Sequence, residues 1–389
     1  MDYFKTLNRK ETDSIKWKMG KDLVSMEDYY VFSVADSDYA VAPEIQESLE
    51  TRVSHAAYGY AKPSKTYLDI HKKWFKNRYG LSVKPHQIIP VPKVLSALSI
   101  IIQQFSNKGD KVLIQTPVYH VFEPMIKGNE RRVVDNPLKY DEGRYTIDYD
   151  LLEQQFKSGV KVMILTSPHN PVGRVWTQDE LTRMVSLAKQ YNVLIASDEI
   201  HADIIMEGHT FYSLGHYFDT YENIIIIGAG SKTFNIAGLH SAHIIVANSH
   251  LRSTLKKAYA ALHMMGPNNL AQQAIMAAYT KCDYWVDLQN DHILSNYKIL
   301  KSFMQTHYPT SHVVALEGTY LAWVQIDFCH LSSEVFMKEL AKTQGVVVAE
   351  GKKFGGNGDQ FIRLNLACST EQLKNGLSRI ETFIAAHKN

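Results

Sequence analysis

The 389-residue chain has few cysteines, almost no net charge and no long apolar run. Its three cysteines, Cys282, Cys329 and Cys368, are far apart and form no Cys-x-x-Cys pair. This pattern argues against a disulfide framework, indicates no metal centre, and favours buried thiols in a reduced, cytoplasmic setting. The chain has 42 basic and 40 acidic residues, so its net charge is only +2. We therefore expect no overall positive potential that would attract nucleic acid or an anionic membrane without specificity. No apolar stretch is long enough to cross a bilayer, so we expect a soluble protein.

What the chain does have is enough apolar residues for a large core. At 45% hydrophobic content over 389 residues, one large domain with a smaller one is the natural expectation. Strands alternate with helical segments through the middle of the chain, which predicts an α/β fold with a mostly parallel, helix-covered sheet. The pattern changes after about residue 280. We therefore predict a large domain over residues 46–280 and a smaller α+β domain formed by residues 1–45 and 281–389.

Local sequence patterns predict where several helices lie. Residues 177–180 (Thr-Gln-Asp-Glu) form a capping-box pattern at the start of one helix, and residues 369–372 (Ser-Thr-Glu-Gln) form another near the end of the chain. A long helical stretch is predicted from Asp283 to about His307.

Polar residues follow three successive apolar strands in this middle region. Asn170 follows the strand at 160–165, Asp198 follows that at 193–196, and Lys232 follows that at 223–228. Singly, Lys232 could be a surface charge, Asp198 a helix cap and Asn170 part of a turn. Together they indicate a ligand site, because ligands of open α/β sheets bind at the carboxyl ends of strands. A pyridoxal phosphate enzyme needs such a set, since the amine binds the cofactor covalently and the carboxylate keeps its pyridine nitrogen protonated.

Further motifs extend this pattern over nearly the whole chain. In order, they are Val34–Tyr39, Tyr58–Tyr60, Pro117–Tyr119, Pro168–Trp176, Ser197–His201, Ser231–Leu239, Glu317–Tyr320 and Phe361–Asn365. With these motifs the chain resembles fold-type I pyridoxal phosphate enzymes of the aminotransferase class I/II superfamily. It is most similar to their MalY/PatB-type cystathionine β-lyase branch.

The resemblance implies roles around the cofactor ring. Lys232 would bind the cofactor and remove the substrate's Cα proton, Asp198 would pair with the ring nitrogen, and Asn170 would donate to the ring's phenolic oxygen. His201 stands where many relatives place a tyrosine on that oxygen, and Tyr119 would stack on the ring face. From the residues alone, His201 could equally be structural and Tyr119 a core aromatic.

The resemblance also implies how the phosphate is held. The amides of Val94 and Leu95, at a helix N-terminus, and the hydroxyl of Ser231 would bind it. Tyr60 matches a tyrosine that reaches the phosphate across a dimer interface, which implies a homodimer. Lys93 departs from the pattern, because relatives carry a glycine there. If the turn needs a positive φ, Lys93 would be strained; its side chain could supply charge to the phosphate or be solvated.

On the substrate side, the resemblance assigns the α-carboxylate to Arg363, whose planar fork suits a carboxylate, with Ala35 beside it. Without the resemblance, Arg363 inside an apolar strand could be half of a buried ion pair. Ser33, Ser37 and Ser167 depart from the tryptophan, methionine and asparagine usual in the lyase branch.

These expectations favour a pyridoxal phosphate-dependent carbon–sulfur β-lyase. A sulfur amino acid would be cleaved to pyruvate, ammonia and a thiol. An aminotransferase would use the same residues and is the alternative. A regulatory binding protein on this scaffold is less expected, because motifs beginning at Val34 leave no room for a DNA-binding module.

Overall fold

The computed structural model describes residues 3–264 and 266–387. The predicted small domain includes residues 1–2 and 388–389, which lie outside the described residues. The helices are α1 (Ile15–Leu23), α2 (Pro43–Ser54), α3 (Lys65–Tyr79), α4 (Val94–Phe105), α5 (Phe122–Gly128), α6 (Tyr149–Lys157), α7 (Gln178–Gln190), α8 (Ser249–Ala261), α9 (Asn269–Lys281), α10 (Asp283–His307), α11 (Ser333–Gln344) and α12 (Thr370–Ala385). The strands are β1 (Tyr30–Val31), β2 (Ile88–Val91), β3 (Lys111–Ile114), β4 (Arg132–Asp135), β5 (Lys139–Asp141), β6 (Arg144–Thr146), β7 (Val160–Thr166), β8 (Leu194–Asp198), β9 (Ile224–Gly228), β10 (Ala242–Ile245), β11 (Leu321–Gln325), β12 (Val346–Val347), β13 (Ala349–Glu350) and β14 (Phe361–Asn365).

A seven-stranded sheet in the order β2-β10-β9-β8-β7-β3-β4 forms the centre of the fold. The pairs from β9 to β4 are parallel, and β10 runs antiparallel to both of its neighbours, β2 and β9. Successive side chains of β9 serve two cores, since Ile224 and Ile226 pack in one hydrophobic cluster and Ile225 and Ile227 in another. Burial on both faces explains the continuous isoleucine run. The predicted α/β class with a mostly parallel, helix-covered sheet is confirmed.

The C-terminal part of the chain builds a smaller antiparallel sheet in the order β11-β14-β13. Helix α10 leads into this part, with the bounds that the sequence predicts. The N-terminal strand β1 pairs in parallel with β12, so the two ends of the chain are joined by backbone hydrogen bonds. The exact domain limits, at 45/46 and 280/281, stay a prediction.

The two predicted capping boxes differ. At α7, the Thr177 hydroxyl accepts the Glu180 N–H (3.2 Å), and the Glu180 carboxylate accepts the Thr177 N–H (2.8 Å). At α12, Ser369 caps Gln372 N–H (3.2 Å), but the Gln372 amide donates to the buried Asp38 carboxylate instead (2.8 Å). The second box is therefore only half formed, because the Gln372 Oε1 that would complete it accepts the Thr6 hydroxyl instead (2.8 Å).

Two expectations from composition can be compared with the fold. All three cysteines are buried and free, as expected. Among the described residues, no helix combines the length and apolarity that crossing a membrane requires.

Candidate active site

Four neighbouring strands of the central sheet bring the predicted ring-binding residues to one edge. Tyr119 follows β3, Asn170 follows β7, Asp198 ends β8 and Lys232 follows β9, and these strands are adjacent in the order β9-β8-β7-β3. Because all four are parallel, their carboxyl ends point the same way. The four residues therefore lie along one edge of the sheet.

The Lys232 amine points into the protein. Its Nζ donates to the carbonyl of Ala35 at 2.6 Å. Burial lowers the pKa of Lys232, the nearby Arg363 charge lowers it further, and Asp36 and Asp198 act in the opposite direction. Lys232 is thus a shielded amine with a lowered pKa and not a solvated surface charge.

Asp198 is buried, with 5% of its surface exposed. Its Oδ1 accepts the N–H of Ile200 at 3.2 Å, so the carboxylate does make the local turn contact that a purely structural interpretation predicts. Burial raises the pKa of Asp198 to about 7, against smaller lowering effects of that hydrogen bond and of Lys232. One local hydrogen bond does not compensate for such burial, so this carboxylate is suited to a cationic ligand group.

Arg363 is also buried, on β14. Its Nη1 donates to Asn170 Oδ1 (2.9 Å) and its Nη2 to the carbonyl of Ser33 (2.6 Å), while its buried Nε has no hydrogen-bond partner among the described residues. Burial lowers the pKa of Arg363 to about 10. Within residues 3–264 and 266–387 no acid pairs with it, so the buried ion pair considered from the sequence is not formed. An unpaired buried guanidinium is suited to a carboxylate ligand.

His201 and Tyr119 border the same space. Burial lowers the pKa of His201 to about 3, with further lowering by the Lys232 and Arg363 charges, so the imidazole is neutral. In the part of the chain that the structure describes, its buried Nδ1 has no hydrogen-bond partner. Tyr119 is half-buried. Burial raises its pKa, the nearby Arg363 charge lowers it, and the Asp198 charge raises it.

The expected phosphate-binding turn lies at the start of α4, where Val94 and Leu95 begin the helix without a side-chain cap. Lys93 precedes them with φ −147° and ψ 146°, which is ordinary extended backbone. The strain that a positive φ would impose on Lys93 is therefore absent. The Lys93 side chain is exposed, and Ser231 is half-buried.

Tyr60 is the one predicted residue that this chain does not bring to the site by itself. Tyr60 is fully exposed, and Tyr58 is 58% exposed. The Tyr58 hydroxyl donates to the carbonyl of Val53 (2.9 Å), and Asn269 donates to the carbonyl of Gly59 (2.8 Å). The loop is thus anchored at its base while its aromatic rings face outward.

A segment over Ser33–Ser37 closes the site from the other side. Its carbonyl groups accept hydrogen bonds from Arg363, Asn365, Lys232 and Arg9, which belong to distant parts of the chain. The site is therefore assembled from both ends and the middle of the sequence.

The three serine departures are buried in or near this region. The hydroxyls of Ser33 and Ser167 have no hydrogen-bond partner within residues 3–264 and 266–387. Each leaves an unused polar atom where the lyase branch usually has a larger side chain.

Sequence reasoning missed one buried cluster behind Lys232. The carboxylate of Asp203 accepts hydrogen bonds from Thr233 (2.9 Å), Trp74 (3.2 Å) and Tyr79 (2.5 Å). Thr233 directly follows Lys232, so Asp203 fixes the lysine segment to α3. The available signal was that Asp203 lies in the same segment after β8 as Asp198 and His201.

These features fit pyridoxal phosphate. The site offers a shielded amine, a buried carboxylate with a raised pKa, a buried unpartnered imidazole nitrogen and an uncapped helix N-terminus. The fold and the site together define the class of α/β pyridoxal phosphate-dependent enzymes.

Comparison with known proteins supports this assignment to the pyridoxal phosphate-dependent enzymes. The family model for aminotransferase class I and II matches residues 31–380, so the chain belongs to this family. It is 34% identical to the cystathionine beta-lyase PatB of Bacillus subtilis, covering 99% of this chain and 100% of that protein.

Two solved structures are similar over almost their whole length. Cystalysin from Treponema denticola, which contains a pyridoxal 5'-phosphate cofactor, has a TM-score of 0.96 at 31% identity, covering 100% of this chain and 99% of its own. The pyridoxal phosphate-bound C-S lyase from Staphylococcus hominis has a TM-score of 0.91 at 28% identity, covering 98% and 97%. The resemblance drawn from the sequence motifs is confirmed.

Proposed function

We propose that this protein is a pyridoxal phosphate-dependent carbon–sulfur β-lyase. The observation that carries the proposal is the shielded Lys232 amine, which Asp198 and Arg363 influence electrostatically at the carboxyl edge of the sheet. Assignment to carbon–sulfur cleavage rests on the full-length similarity to a cystathionine beta-lyase and to a C-S lyase.

Bound pyridoxal phosphate would supply a covalent attachment point for the substrate amine and an electron sink for the Cα–H bonding electrons. Lys232 would hold it covalently before substrate arrives. The Asp198 carboxylate would face the ring nitrogen, where a positive charge would bring the raised pKa of Asp198 back down. Asn170 and His201 would contact the ring oxygen, and Tyr119 would lie on the ring face.

The phosphate would be held by the first N–H groups of α4, at Val94 and Leu95, and by the Ser231 hydroxyl. The positive end of the helix dipole favours an anion there. Tyr60 would add its hydroxyl from the partner subunit.

Arg363 would bind the substrate carboxylate through its guanidinium group, with Ala35 beside it. This would fix the Cα–H bond relative to Lys232 Nζ, which would accept the proton, since a lowered pKa favours the uncharged amine. The Cβ–S bond then breaks with its electron pair leaving on sulfur, and the same Nζ can return the proton to that sulfur. Hydrolysis of the remaining three-carbon fragment gives pyruvate and ammonia.

We further propose a cytoplasmic homodimer. The fully exposed Tyr60 and the 58% exposed Tyr58 are aromatic rings that a second copy would cover. The buried free cysteines suit a reducing compartment. The large domain would cover residues 46–280, and residues 1–45 and 281–389 would form the small domain.

The direct test is pyruvate formation from cystathionine, cysteine and related thioethers without any 2-oxo acid. The expected result is pyruvate, ammonia and a thiol in equal amounts, and none of them with Lys232→Ala. The aminotransferase alternative predicts product only when a 2-oxo acid is supplied.

A further inference from the structure

We infer that Lys353 and His120 form a second carboxylate-binding subsite beside Arg363. The substrate class would then be cysteine thioethers whose leaving group ends in a carboxylate. The inference rests on the proposed function only in that Arg363 holds the α-carboxylate.

The three basic groups converge on one buried aromatic ring. Phe354 is 1% exposed, and its ring centroid lies 4.8 Å from Arg363 Cζ, 5.7 Å from Lys353 Nζ and 5.6 Å from the His120 ring centroid. The Phe354 carbonyl accepts the N–H of Val118 at 2.9 Å, just before Tyr119. The ring is therefore a fixed base around which the basic groups are arranged.

No acid neutralises this group at close range. Among the described residues, neither Lys353 nor Arg363 has a carboxylate within ion-pair distance, and Glu350 acts on Lys353 only from farther away. Burial and then Arg363 lower the pKa of Lys353. Burial, then Lys353 and Arg363, lower the pKa of His120 to about 4. A bound anion would relieve the repulsion between the Lys353 and Arg363 charges.

The three basic groups of the subsite become more exposed from the interior of the protein to its surface. Arg363 is buried, Lys353 is half-buried and His120 is exposed. A substrate whose α-carboxylate reaches the inner Arg363 would extend its leaving group outward past Lys353. A lysine suits this outer position, because its flexible stem carries a point charge to carboxylates of somewhat different reach. Cystathionine, with a carboxylate at the far end of its leaving group, belongs to this class.

The test compares two amino acids that lack a leaving group at Cβ. 2-Aminosuberate has a second carboxylate placed as in cystathionine, and 2-aminooctanoate has a methyl end instead. Their affinities for the holoenzyme are measured by calorimetry for the wild type, Lys353→Met and the control Lys352→Met. Lys352 is exposed and lies 3.5 Å from Glu334, so it matches Lys353 in charge but not in position.

We expect Lys353→Met to weaken 2-aminosuberate binding by about tenfold relative to 2-aminooctanoate, as for a partly exposed charge-assisted contact. Lys352→Met should leave the ratio of the two affinities unchanged. An unchanged ratio in Lys353→Met, or an equal change of the ratio in Lys353→Met and in the Lys352→Met control, would overturn the subsite. Because neither ligand can undergo elimination, this result is independent of whether thioethers are cleaved to pyruvate.

Discussion

Replacing Asp198 with Asn separates the functional role of this carboxylate from a structural one. Asn retains an oxygen that can accept the Ile200 N–H (3.2 Å), so the local turn contact is kept. It removes the charge that must be buried when the cofactor is absent. We therefore expect the Asp198→Asn apoprotein to be more stable than the wild-type apoprotein at pH 8, although the holoenzyme loses most of its turnover.

The magnitude follows from the two pKa values of Asp198. Its pKa is 3.8 in the reference state and about 7 in the fold, so the folded protein binds the proton more tightly. Wild-type stability therefore falls as the pH rises from about 4 to about 7, by up to about 4 kcal/mol in total. The variant has no such group, so its advantage is absent below about pH 4 and complete above about pH 7.

Urea unfolding of both apoproteins across this pH range, at one protein concentration, measures the difference. Glu199, whose pKa burial also raises to about 7, is present in both proteins, so its own contribution largely cancels. A variant that is equally or less stable at pH 8, with near-normal turnover as holoenzyme, would refute the reasoning. Asp198 would then be a structural turn residue.

Three further predictions concern neighbouring residues. Thr233→Ala loses the 2.9 Å hydrogen bond to Asp203 and should lower kcat about tenfold with little change in KM, whereas Thr233→Ser should restore it; equal loss in both variants would contradict positioning by this hydroxyl. Arg363→Lys should lower kcat/KM about a hundredfold and Arg363→Ala should lower it more, because an ammonium cannot match a bidentate fork. Steady-state kinetics measures this, and a near-normal kcat/KM in Arg363→Lys would contradict it. Mixing inactive Lys232→Ala with Tyr60→Phe subunits should restore some activity, and a fully active monomer in sedimentation would exclude the shared site.

The parts of the fold that local sequence determines were predictable. The isoleucine run of β9 and the strands β7 and β8 were recognisable because buried parallel strands are continuously apolar. The capping box at α7 was predicted fully, since both of its contacts lie within four residues. The box at α12 was predicted only in part, because Gln372 turns to Asp38, a partner more than three hundred residues away.

In the candidate site, too, the features set by local sequence were predictable and those set by distant contacts were not. Lys232, Asp198 and Asn170 could be placed because each follows its own strand in an ordered series. Asp203 could not, since its three donors come from two distant segments and only packing brings them together. The sequence left Lys93 open, because the φ of a turn is set by the packing around it; the structure shows extended backbone and an exposed side chain there.

The central claim is the reaction itself, and one competition measurement tests it most directly. Holoenzyme is given cystathionine together with an excess of a 2-oxo acid, and pyruvate, free thiol and newly formed amino acid are counted in the same mixture. We predict that pyruvate and thiol account for the cystathionine consumed, with little new amino acid. Formation of the new amino acid in proportion to cystathionine consumed, with the thioether left intact, would contradict the account and identify an aminotransferase.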